Sequence, residues 1–155
     1  MKTFARGTVL LFAAAVFVLA AGPASAETSW GPRAGMSFSP DQIALGAHVR
    51  IPVATNLSII PNADIAFGDD LFTIGLHGDL TYSFSAGSSL RPYLGGGFSF
   101  YNYDPDNGEG NSETGVSALG GIWLNADGST PFFIEGKLYF SDNMPDFKLM
   151  AGVNM

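Results

Sequence analysis

Seven charged residues stand inside stretches of this chain that otherwise alternate apolar with small or polar side chains: Arg33, Arg50, Lys137 and Lys148 against Asp64, Asp79 and Glu135. If the fold gathers them away from bulk water, four cations and three carboxylates have to neutralise one another, so the first chemistry they suggest is cross-linking by ion pairs. A narrow path for ions is the second. The two histidines, His48 and His77, sit in the same kind of stretch, as does Asn62. A metal site would need a third ligand in fixed geometry, which Asp64 or Asp79 would have to supply; ordinary hydrogen bonding is the simpler reading. No spacing of Ser and His makes a convincing nucleophilic triad. A further acidic group lies in "YNYDPDNGEGNSET", with Asp104, Asp106, Asn107, Glu109, Asn111 and Glu113. A calcium loop of EF-hand type needs oxygen ligands at fixed alternate positions, a central Gly and a closing Glu between helices, and Pro105 and the strand context break that match. The segment reads as a solvated loop, with weak binding of a divalent cation as the alternative.

The elements that position these residues are strands. In "PFFIEGKLYF", residues 131–140, Phe132, Ile134, Leu138 and Phe140 fall on one face of an extended chain, and Glu135, Lys137 and Tyr139 fall on the other. Alternation of period two recurs along the chain after its leader, and no window of helical spacing competes with it. The pattern predicts an all-β protein of eight antiparallel strands in meander order, at about 32–39, 42–51, 57–67, 71–84, 91–101, 115–125, 132–141 and 147–155. "PVATN", "SAGSS" and "ADGST" are compact turns. The polar stretch 102–114 and "SDNMPD" are the longer connections at the opposite end, which "SPDQ" and "GDD" share.

Sorting each strand by face gives one uninterrupted apolar series, running from Ile43, Leu45 and Val49 through Ile65, Leu80, Leu94, Phe98 and Ile122 to Leu138, Leu149 and Met155. The other face carries Arg33, His48, Arg50, Asn62, Asp64, His77, Asp79, Thr81, Glu135, Lys137, Lys148 and Asn154 among Gly, Ala and Ser. In a soluble barrel or sandwich this polar face would be the outer one, crowded with long and mostly unpaired Lys and Glu. Small residues and nearly balanced charges instead describe a crowded, wet interior, as in a transmembrane barrel, where apolar side chains face lipid and polar ones the lumen. In the expected register Gly121 and Gly152 flank Glu135 and leave room for its side chain.

Composition supports the same reading. Charged residues make up 14% of the chain, against about 25% for typical soluble domains. The formal net charge is −7, and a basic patch for nucleic acid is missing. Cys is absent, so neither disulfides nor a lipid-anchored Cys is available. Residues 1–26 read as a cleaved secretory signal peptide: Lys2 and Arg6, then "TVLLFAAAVFVLAAG", then "ASA" ending at Ala26. One domain is expected over residues 27–155.

With that leader, eight alternating strands, "RPYLGGGFSFY", "PFFIEGKLYF" and a closing "FKLMAGVNM", the chain resembles the small OmpA/OmpX-type outer-membrane β-barrel proteins. The resemblance implies a bacterial outer membrane with both termini and the short turns in the periplasm. It also implies lipid and lipopolysaccharide as surroundings, and assembly by the barrel assembly machinery. Met155 stands where the family usually ends in an aromatic residue, and no peptidoglycan-binding domain is expected after the barrel. The expected role is non-enzymatic, in envelope integrity or surface interaction, by a monomer that needs no cofactor. A small porin-like channel is the alternative. An outer-membrane enzyme acting on lipid is the remote one: the lipid A deacylases place His and Ser close together on a lipid-facing strand, and neither His48 nor His77 has a Ser two residues on.

Overall fold

The structure, a computed structural model, describes residues 28–68, 70–84, 89–105 and 109–155. The signal-peptide expectation for 1–26, and Asp106 and Asn107 of the acidic segment, lie outside the described residues.

Eight strands follow one another: β1 (Ser29–Phe38), β2 (Gln42–Ala54), β3 (Leu57–Gly68), β4 (Leu71–Ser83), β5 (Leu90–Pro105), β6 (Asn111–Leu124), β7 (Phe132–Tyr139) and β8 (Phe147–Val153). Each pairs antiparallel with the next, and β8 returns to β1 through Arg33↔Gly152 to Phe38↔Phe147, so the sheet is a closed barrel without an edge. Beyond the last strand, Met155 and Trp30 exchange backbone hydrogen bonds at 2.8 and 3.3 Å, which places the start of β1 and the C-terminal residue on one rim, the terminal rim. Two tight turns rest on residues whose short polar side chains tolerate a left-handed backbone: Asn56 at φ 64° between β2 and β3, and Asp70 at φ 56° between β3 and β4.

The alternation holds around the whole sheet. Trp30, Leu45, Ile65, Leu80, Leu94, Phe98, Ile134 and Leu138 are exposed, while their neighbours Arg33, His48, Asp64, Asp79, Ser99, Glu135 and Lys137 are buried. The outward run from Phe72 to Phe84 is about 40 Å long at 3.3 Å per residue and, tilted by about 45°, rises about 28 Å, close to the height of a bilayer's apolar band.

One connection differs from expectation. The polar stretch 102–114, read from its composition as a loop, is largely a continuation of β5 and β6, paired through Tyr101↔Glu113, Asn102↔Ser112 and Tyr103↔Asn111. Asn102 donates to the Ser112 hydroxyl at 2.9 Å across the outward face. Ladder hydrogen bonds need no apolar face, so a hairpin can continue with polar residues on its outward side while Tyr101 and Tyr103 pack on the inner one. Above Phe100 and Val116 the outward residues turn polar, at Asp104, Ser112 and Thr114, so the apolar belt ends there and the hairpin projects beyond it.

Because Leu138 is half exposed and Lys137 is buried, lysine has opposite consequences at neighbouring positions. In refolding into phospholipid vesicles, Leu138→Lys is expected to lower folding stability by about 2 kcal/mol, the cost of a cation on the lipid face partway to the midplane. Folding yields equal to the parent's would place this face away from lipid.

Candidate functional site

The charged residues stack in the lumen in three tiers, ordered from the rim where Trp30 meets Met155. In the first, Arg33 Nη2 donates to Glu135 Oε1 at 2.9 Å, and the Tyr93 hydroxyl donates to Glu135 Oε2 at 3.0 Å. In the second, Lys137 Nζ reaches Asp79 Oδ2 at 2.6 Å and Asn62 donates to the same oxygen at 2.8 Å. In the third, Lys148 Nζ reaches Asp64 Oδ1 at 2.5 Å, and His77 Nε2 lies 3.1 Å from Asp64 Oδ2. Each tier holds one cation and one carboxylate supplied from distant strands, β1 to β7, β7 to β4 and β8 to β3. All six side chains are almost wholly buried. Charge-assisted hydrogen bonds satisfy most of their polar atoms, the condition under which buried ions are tolerated.

Glycine makes the room. A Cβ on Gly97 would collide with the Asp79 carboxylate, and one on Gly121 would stand 2.5 Å from the Tyr93 ring. Gly121 is opposite Glu135, as the expected register has it. Gly152 is not: Met150 is the β8 partner of Glu135, and Gly152 faces Phe133, whose ring would lie 2.5 Å from an added Cβ. The register differs by two residues because the phenyl ring, not the carboxylate, needs the gap.

Two further placements depart from expectation. Arg50 joins no ion pair among the described residues; its guanidinium lies over the Trp123 ring, 5.5 Å from the centroid, near the terminal rim. The charges that meet in the lumen are therefore three against three. The acids of the β5–β6 hairpin do not converge either. Glu113 accepts from Asn111 at 2.6 Å and from Asn143 at 3.2 Å, Asp104 and Glu109 are exposed, and no group of three His, Cys, Asp or Glu able to hold a metal occurs among the described residues.

Tyr139 lies inside with Glu135 and Lys137, as the alternation has it, but the other aromatic residues inside the barrel escaped the sequence reading, because the binary pattern assigns large rings to the outer face. Tyr93, Trp123 and Phe133 pack with Leu119 below the first tier. Tyr101, Tyr139 and Met144 pack above the third, where the Tyr101 hydroxyl donates to that of Tyr139 at 2.8 Å. Met144 and Pro145 come from the β7–β8 connection and are buried, so this connection folds back over the mouth. Its seat is Gly115, where a Cβ would meet the Met144 sulfur at 2.8 Å. The signal was the apolar pair Met-Pro inside "SDNMPD".

His48 and His77 are both buried. His48 Nε2 lies 2.5 Å from Asn154 Oδ1. His77 bridges Ser99 Oγ, 2.8 Å from Nδ1, and Asp64. Ser99, His77 and Asp64 thus have the order of a hydrolytic triad, which spacing along the sequence had not suggested. Ser99 has no exposed surface, and Asp64 also holds Lys148.

No protein-family model and no curated protein sequence matches the chain. Solved structures do. The N-terminal β-barrel domain of Pseudomonas aeruginosa OprF superposes with a TM-score of 0.66 at 13% identity, covering 82% of this chain and 94% of that one. Neisserial surface protein A gives 0.62 at 14% identity over 83% and 94%, and Yersinia pestis outer membrane protein Ail in a phospholipid nanodisc 0.53 at 10% over 83% and 98%. The chain has the fold of the small outer-membrane barrels. At these identities the likeness is one of architecture, so the tiers of this chain rest on its own residues.

Removing one member of a tier separates a packed lumen from an open aqueous one. Glu135→Ala leaves Arg33 buried without its carboxylate, and the loss is expected to approach about 3 kcal/mol, the low end for breaking a buried pair from one side. The paired change Arg33→Met with Glu135→Leu is expected to cost far less. Urea unfolding of the detergent-folded barrel measures both. Equal losses would mean that the charge of Arg33 is met by water.

Proposed function

We propose that this protein is an integral outer-membrane β-barrel, non-enzymatic and closed to solutes, that contributes to envelope integrity or surface interaction. One observation carries the reading: the closed sheet exposes an unbroken apolar belt and buries three complete charge pairs. Water as the outer solvent would disfavour both features; lipid favours both. The shared architecture of OprF, NspA and Ail supports the same location.

The sealed state has its own support. Three tiers of side chains, the aromatic layers on either side of them, and Met144 and Pro145 folded into the mouth fill the interior, as the width of an eight-stranded barrel requires. The non-enzymatic reading draws on the burial of Ser99. Lipopolysaccharide beside the belt, delivery by the barrel assembly machinery and a monomeric state belong to the same proposal. The β5–β6 hairpin, with Asp104, Glu109 and Glu113 beyond the belt, is the part that reaches farthest for a surface contact or a loosely held cation.

A charge-lined lumen is also what a small ion channel would have, and recording in planar lipid bilayers separates the two. The parent protein is expected to insert, to migrate differently on gels before and after heating, and to show no steady conductance. Reproducible unitary currents would establish the channel instead, and recovery as a soluble periplasmic protein would remove the membrane reading.

A further inference from the structure

The terminal rim of the lumen departs from the pairing found deeper in. Arg33, Lys137 and Lys148 each hold a buried carboxylate, and Arg91 holds the exposed Asp127 at 3.1 Å. Arg50 holds none among the described residues. It stacks over Trp123, and Arg91 is the strand partner of that same Trp123 on β5. The Arg50 guanidinium thus covers the buried indole, and Arg91 stands beside that indole on the neighbouring strand with its guanidinium turned to Asp127. Ser58, inward-facing and buried toward the same rim, has a hydroxyl without a partner.

Stacking on an indole satisfies the face of a guanidinium and leaves its edge of N–H donors unused. The unused edge of Arg50, with Arg91 on the strand beside the indole and held only by a surface carboxylate, matches a group with several anionic oxygens, which guanidinium binds in a fork. A chain with a formal net charge of −7 has carboxylates to spare, yet among the described residues only Asp127, at the surface, reaches this pair. That contact is half in solvent and gives way readily.

We propose that Arg50 and Arg91, beside Trp123, form a binding site for a phosphate-type oxyanion at the rim of the lumen where Trp30 meets Met155. The same chemistry is offered by a free phosphate group and by the phosphodiester of a lipid headgroup in the adjoining leaflet.

Trp123 is the reporter. Only one other Trp, Trp30, is present, so Trp30→Phe leaves a single indole at the site. The full chain, folded in uncharged maltoside micelles, is titrated with sodium phosphate while sodium chloride holds the ionic strength constant. A saturable change in emission is expected, weakened by about tenfold or more in Arg50→Gln and in Arg91→Gln, as loss of a charge-assisted hydrogen-bonding group implies. Asp127→Asn removes the competing carboxylate and should tighten binding, a gain that misfolding cannot produce. In a second arm, discs of an uncharged galactolipid are compared with and without phosphatidylglycerol. An Arg50-dependent change with phosphatidylglycerol alone assigns the site to a headgroup, and one with phosphate assigns it to a free anion. No saturable response in either arm, or one that Arg50→Gln and Asp127→Asn leave unchanged, overturns the proposal.

Discussion

Eight strands close around an interior only wide enough for side chains, and whatever ionic group is placed there must find its counter-charge inside the same narrow space. The structure meets that constraint by stacking, one cation and one carboxylate to a tier, with Tyr, Asn and His supplying further hydrogen bonds to the carboxylates. The pairs join strands that are not neighbours, Arg33 on β1 with Glu135 on β7 and Lys148 on β8 with Asp64 on β3, so they brace the barrel across its axis as well as around its wall. Glycine on the inner face follows from the same constraint, since Gly97 and Gly121 yield the space that Asp79 and Tyr93 occupy.

With the paired charges gathered inside, the exterior is free to be apolar along the belt. Backbone groups are paired around the closed sheet and β1 meets β8, so no edge is left to aggregate or to be solvated. Under the proposed function, contacts with other molecules fall to what lies outside the belt. On one side the β5–β6 hairpin stands clear of it, and the β7–β8 connection folds inward with Met144 as a stopper. On the other, Arg50 and Arg91 gather at the terminal rim.

How much of this could be read from the sequence depended on which interaction decided each feature. Strand positions and faces were legible because period-two alternation is dictated by the backbone; Ile134 and Leu138 outward with Glu135 and Lys137 inward follow directly from it. The extension of β5 and β6 through Tyr103 and Asn111 was not legible, since ladder pairing leaves no mark on composition in water. Nor were the inward Tyr101, Trp123 and Phe133, because size and hydrophobicity do not say which side of a barrel a ring occupies. Arg50 shares the polar pattern of the paired cations but meets an indole, and no carboxylate among the described residues. Gly152 was misplaced by two residues because alternation constrains register only modulo two.

The account turns on the two faces of the wall being wetted by different media, lipid outside and a packed polar interior within. The chain has no cysteine, so single-Cys variants at successive positions from Phe132 to Tyr139 each carry one spin label in the folded protein reconstituted in phospholipid. Accessibility to oxygen, which partitions into lipid, is expected to rise and fall with period two, high at 132, 134, 136 and 138 and low to both oxygen and a water-soluble nickel complex at 133, 135, 137 and 139. The opposite phase, or access of the nickel complex to 134 and 138, would contradict it.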